Sequence, residues 1–166
     1  GLAPAAVLWQ VCLQTEPCWL PEGWKLGYGV FVLAAFSALR LAKFNIDETQ
    51  TVEFCGLPTP AGSLLCASLG MLWQQGMLAL SSDGVLLVAV LTSLLLVSPI
   101  RMFALKFHGF GWRGNEVRYL FLLASIVLII ILRTYAIPVI IVLYIVVSAV
   151  RWLCMRSGNP DKAPKA

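Results

Sequence analysis

An all-α, polytopic transmembrane helix bundle is what this sequence predicts, and three observations carry the prediction. The 166 residues are 60% hydrophobic, above the roughly 45–50% of a soluble domain. Only 12% are charged, about half the usual share. The apolar residues fall in long uncharged runs that approach the roughly 20 residues a bilayer-spanning helix needs. These runs recur along the chain, so the pattern is not a signal peptide followed by a soluble domain. About five spans and a partial N-terminal helix are expected over residues 1–153, followed by a polar, disordered cytoplasmic tail over 154–166.

Gly1–Leu13 is apolar but too short to span, and reads as the outer end of a helix that starts upstream. Gln14–Lys25 is a polar loop with Pro17, Pro21 and Gly23. Trp9, Trp19 and Trp24 lie near it, and tryptophan favours the membrane–water interface. Leu26–Phe44 is the first full span, rich in small residues that suit close helix packing. The polar connector Asn45–Pro60 follows, then a second span, Ala61–Leu80. Ser81–Gly84 (S-S-D-G) reads as a tight polar turn. Val85–Phe107 is the third span, with Pro99 kinking it and Arg101 one turn after Ser98. Lys106–Glu116 is a polar, glycine-rich loop. Tyr119–Leu132 is the fourth span, flanked by Arg118 and Arg133, whose long side chains can snorkel. Thr134–Pro138 turns the chain, and Val139–Trp152 is the last span.

Basic residues set the expected orientation, because cytoplasmic loops are enriched in Lys and Arg. With the Asn45–Pro60 connector inside, only Lys25 and Arg133 of the 12 basic residues face outward, which leaves ten facing inward. The net charge of +4 suits anionic lipid head groups. The five cysteines are scattered without a C-x-x-C pair, so neither a zinc site nor a redox pair is indicated. No P-loop, G-x-G-x-x-G or Ser/His/Asp set is present, and nothing points to nucleic acid. The lone His108 has no second ligand at metal spacing and reads as a surface histidine. Asp47, Glu48 and Glu53 form an acidic group that reads as a solvated loop.

The stretch from Arg40 to Pro60 carries the chemistry. Lys43 reads first as an interfacial anchor, whereas Arg40 is deeper, with Leu41, Ala42 and Phe44 continuing the apolar run beyond it. Charge at that depth is costly and usually has a job. A guanidinium there matches a phosphate through two parallel hydrogen bonds. Ser37, Arg40 and Phe44 share one helical face. The G-L-P-T-P turn, Gly56–Pro60, has a plain reading as a helix start. Free N–H groups at such a start also favour an anion. Val97–Phe107 offers a second arginine beside the proline.

R-L-A-K-F-N (Arg40–Asn45) followed by F-x-G-L-P-T-P resembles the C-terminal half of bacterial phosphatidylserine synthases, in the CDP-alcohol phosphatidyltransferase family. Val97–Phe107 and the following G-W-R-G-N-E-V-R-Y extend the resemblance, which covers most of Ala34–Tyr119. It implies a transferase that moves a phosphatidyl group from CDP-diacylglycerol to L-serine and releases CMP. It also implies a multi-pass enzyme of the inner (cytoplasmic) membrane, embedded in the lipid bilayer, with a homodimer as a further expectation. Substrate-binding roles then fall on Arg40, Lys43, Asn45, Gly56, Pro58, Ser98 and Arg101.

One departure is large. The family signature D-G-x-x-A-R-x(8)-G-x-x-x-D-x-x-x-D is nowhere in these residues. Its aspartates bind Mg2+ or Mn2+ in the family, and it lies just upstream of a segment like Gly1–Ala5. The resemblance therefore implies that the chain begins after the metal site, that no catalytic or metal residue lies in it, and that alone it is inactive. Two alternatives stay open: a sister enzyme with glycerol phosphate or inositol phosphate as acceptor, and a transporter or non-catalytic membrane subunit.

Overall fold

The computed structural model describes residues 1–16, 26–46, 53–103 and 116–158. It is all-α. Helix α1 spans Leu2–Gln14. A 3-10 segment, Leu26–Phe31, runs into α2, Val32–Ile46. Helix α3 is Thr59–Gln74 and α4 is Ser82–Val97. Helices α5, Glu116–Leu132, and α6, Ala136–Gly158, are joined by a 3-10 turn at Arg133–Tyr135. Two three-residue strands, β1 (Glu53–Cys55) and β2 (Arg101–Phe103), pair antiparallel with Phe54 opposite Met102.

Helix α1 is the centre of the core, although its 13 residues read as a mere helix end. Pro4, Ala5, Leu8, Val11 and Cys12 are buried, an i, i+4, i+7/i+8 stripe that points one face at its neighbours. That face packs against α3, α4 and the 3-10 segment. Small residues allow the approach: a Cβ on Gly70 would collide with Val7, and one on Gly62 would press on Thr92 at 3.3 Å.

Three expected boundaries are corrected. The second span does not reach Leu80. Helix α3 stops at Gln74 because Gly76 takes φ +68, and Met77 N donates to Leu72 O at 3.0 Å. Gly76 N donates to Trp73 O at 2.9 Å, which completes a glycine-terminated Schellman cap. Ser81–Gly84 is a helix start, not a separate turn: Gly84 N donates to Ser81 Oγ at 3.3 Å. The third span does not run through Pro99 with a kink. Helix α4 ends at Val97, with Ser98 extended at ψ 148. Proline disfavours helical geometry in the residue before it, and here it stops the helix.

Among the described residues two stretches are long and apolar enough to cross a bilayer, Gly27–Ile46 and Glu116–Cys154, fewer than the five expected. The second runs for 39 residues, but it is not one rod. Arg133 has φ +46, and the chain folds back there so that Phe121 meets Tyr144 with ring centroids 5.9 Å apart. The two legs form a helical hairpin. Leu120, Leu123, Ile130 and Ile131 on α5 are all exposed. Arg118 does not snorkel as expected; it is buried, at 8% exposure.

The connections gather at two ends of the bundle. At one end Ser82 N donates to Glu16 O at 3.3 Å, and Tyr135 Oη donates to Met77 O at 2.9 Å. These belong to loops expected on the outer side. At the other end lie Arg40, the β1–β2 ribbon and the start of α3.

Candidate functional site

The turn between β1 and α3 is locked onto the end of α4 by its backbone. Gly56 N donates to Ile100 O at 2.9 Å and Leu57 N donates to Leu95 O at 2.8 Å. Gly56 sits at φ +76, and a Cβ there would collide with the Leu96 carbonyl oxygen. Only glycine meets both demands. Leu57 and Met102 are fully buried beside it. Pro58 then caps α3, and Pro60 follows in the first turn, where its missing N–H costs nothing.

Arg40 projects from α2 onto this helix start. Its Nη1 donates to Thr59 Oγ1 at 3.0 Å. Its Nε is buried and has no hydrogen-bond partner among the described residues. Ser63 Oγ fixes the same turn by donating to Thr59 O at 2.6 Å. A cation at a helix N-terminus meets the positive end of the helix dipole, so the pair is uncompensated and favours an anion between them. Beside Thr59 a cleft of about 10 Å³, room for roughly one water, is lined by Gly1, Pro4, Leu33, Ser37, Thr59, Gly62, Ser63 and Leu96. Ser37 and Arg40 are both helical and share a face, as their spacing required.

The other candidates fall in different places. Gly56 and Pro58 lie in the locked turn beside Arg40. Lys43 and Asn45 are exposed on the last turns of α2, away from the Thr59 contact. Ser98 donates its hydroxyl proton to Leu95 O at 2.9 Å, so it serves as the cap of α4. Arg101 is not one helical turn beyond Ser98 but on β2, half-buried and directly opposite Cys55. Asp47, Glu48 and His108 lie outside the described residues. Among the described residues no group of three His, Cys, Asp or Glu side chains converges. They do not fit a divalent ion.

Sequence reasoning passed over Thr59, although it sits inside the G-L-P-T-P turn. A hydroxyl at the first position of a helix that faces an arginine was the available signal.

No family model matches the chain. It is similar to the CDP-diacylglycerol–serine O-phosphatidyltransferase of Bacillus subtilis (strain 168), 28% identical over 112 residues. That match covers 66% of this chain and 54% of the relative, so the chain spans about half the length of the curated protein it matches. The two are distantly related.

Proposed function

We propose that this chain is part of a membrane-embedded phosphatidyltransferase that joins the phosphatidyl group of CDP-diacylglycerol to L-serine. The similarity to the B. subtilis enzyme over 112 residues carries this reading. The half-buried arginine aimed at a helix N-terminus, with an open Nε–H, gives it a physical basis. In the reaction the serine hydroxyl oxygen forms a bond to the phosphorus that bears diacylglycerol. The pyrophosphate P–O bond breaks, CMP departs with the electron pair, and the hydroxyl proton passes to a base outside the described residues.

The part played by this chain is to bind and orient. Arg40 and the first turn of α3 hold an anionic oxygen of the substrate, and the Gly56–Pro58 turn fixes that first turn in place. Arg101, Lys43 and Asn45 lie at the rim and attract the charged head group. The divalent ion that such chemistry uses would be held by carboxylates beyond the described residues, where it would neutralise the pyrophosphate. The exposed apolar surfaces of α2, α5 and α6 face lipid, and the α5–α6 hairpin supplies two of five spans in a multi-pass arrangement in the inner membrane. In that arrangement the Arg40 end is cytoplasmic.

The test uses the full-length protein that contains this chain, purified in detergent with CDP-diacylglycerol and Mg2+ or Mn2+. Serine should yield phosphatidylserine and an equal amount of CMP, and the 166-residue chain alone should yield neither. Product with glycerol phosphate or inositol phosphate in place of serine overturns the acceptor. No CMP release with any of them overturns the reaction.

A further inference from the structure

The α5–α6 hairpin is open at the end away from Arg133–Tyr135, and an arginine sits on each leg there, Arg118 on α5 and Arg151 on α6. The legs pack against each other, and the contact between the Phe121 and Tyr144 rings fixes their register. Arg118 lies three residues before Phe121 and Arg151 seven after Tyr144, both toward the open end. With a rise of about 1.5 Å per residue, they stand about 4.5 Å and about 10.5 Å beyond the rings, hence about 6 Å apart along the hairpin. Spacings of three and seven also keep each arginine near the helical face that carries its ring. On α6 that face is the buried stripe Ile141, Tyr144 and Ser148, which Arg151 continues.

The bland reading is two basic residues that snorkel at the ends of their spans. A snorkelling arginine keeps its head in water, whereas Arg118 is buried and Arg151 half-buried. A cation taken out of water calls for negative charge close by. The two helices carry little of it: Glu116 is their one acidic residue, against Arg118, Arg151 and Arg156 at the same end. Glu116 is exposed, and two positions from Arg118 it points to another side of the helix. The surroundings inward of the arginines are hydrocarbon. Leu122 and Ile126, one and two turns on from Arg118, are exposed, and Val147, one turn back from Arg151, is partly buried. A ligand that suits this end has an anionic head and an apolar body.

We infer that the open end of the α5–α6 hairpin seats one anionic phospholipid of the surrounding leaflet. Its phosphate lies between Arg118 and Arg151, since a guanidinium takes phosphate through two parallel hydrogen bonds. Its acyl chains follow Leu122 and Ile126 into the bilayer. The lipid thereby ties α5 to α6 at the end where no chain connection joins them. The seat uses neither Arg40 nor Thr59, and it stands whether or not the chain serves phosphatidyl transfer.

The experiment uses the full-length protein, stripped of lipid in a neutral detergent, and reads the rise in Tm on adding phosphatidylglycerol or phosphatidylcholine at equal mole fraction. A ligand that binds the folded state raises Tm, so the anionic lipid should raise it further than the zwitterionic one. That difference should be at least halved in Arg118→Gln and in Arg151→Gln. Lys43→Gln, which removes one positive charge from an exposed position at the same end of the bundle, should leave it unchanged. Equal rises with the two lipids in the wild type overturn the inference, and so does an undiminished difference in either arginine variant. A loss in Lys43→Gln as large as theirs reduces the effect to general attraction between charges and overturns it too. Inorganic phosphate should give no rise that depends on Arg118, and one that does replaces the lipid with free phosphate. If Arg118→Gln does not fold, Arg151→Gln decides by the same criteria. A protein without turnover that still shows the lipid difference keeps the seat and loses the phosphatidyl-transfer reading.

Discussion

Ser37–Arg40 and Ser98–Arg101 share one local pattern, a serine three residues before an arginine near the end of an apolar run. The molecule uses them in opposite ways. On α2 the helix continues to Ile46, so the spacing becomes a shared face and Arg40 reaches Thr59. After α4 the helix has already stopped at Val97, so the same spacing carries no face at all. Ser98 caps the helix it was expected to extend, and Arg101 enters a strand. A spacing argument is only as good as the helix beneath it, and here one proline, Pro99, decides which arginine lies along a helix.

The largest expected effect tests the junction that separates the two regions. Gly56→Ala places a side chain at φ +76 against the Leu96 carbonyl. Left-handed geometry alone costs about 1–2 kcal/mol, and the collision adds to it. The full-length variant should show a clearly lower Tm and little activity, and an unchanged Tm would mean that the turn does not lock α4. Next come the arginines themselves. Arg40→Lys loses the planar fork and a charged hydrogen bond worth about 1.5–3 kcal/mol. Its kcat/KM should fall roughly ten- to a hundredfold. Arg101→Lys should fall less than about threefold, and equal losses would erase the distinction drawn between them. Ser98→Ala should cost about 1 kcal/mol of stability, the net worth of one neutral hydrogen bond. Its KM values should stay unchanged, and a raised KM would return Ser98 to the substrate. Smallest is Arg133→Gly at the far end of the bundle. With φ +46 at Arg133, glycine should raise stability by about 0.5–1 kcal/mol without touching turnover. A lower Tm would show that the arginine side chain contributes more than its backbone costs.

The all-α class was readable because composition and long uncharged runs leave few other folds. The meeting of Arg40 with the Gly56–Pro60 turn was foreshadowed by the chemistry of each, since a deep guanidinium and a stiff helix start both seek an anion. The end of α4 was not readable with the same ease. The run I-R-M-F-A-L after Pro99 is as apolar as a helix would be, and Met102 is fully buried in a strand as it would be in a helix. Periodicity cannot separate those two cases over so few residues. The importance of α1 was hidden for a related reason: 13 apolar residues look like a remnant until several neighbours pack on one stripe.

The locked turn also has a consequence in time. Gly56 and Leu57 donate to carbonyls of Ile100 and Leu95, residues that leave the ribosome some forty positions later. Until they emerge, the donors that shape the start of α3 have only water or lipid head groups to bind. Closing a loop of that length is entropically unfavourable and waits on the hydrogen bonds that reward it. The Arg40 end of the bundle is therefore assembled late in synthesis, after α4 is in place, and a nascent chain halted before residue 95 holds Arg40 without the helix start it meets.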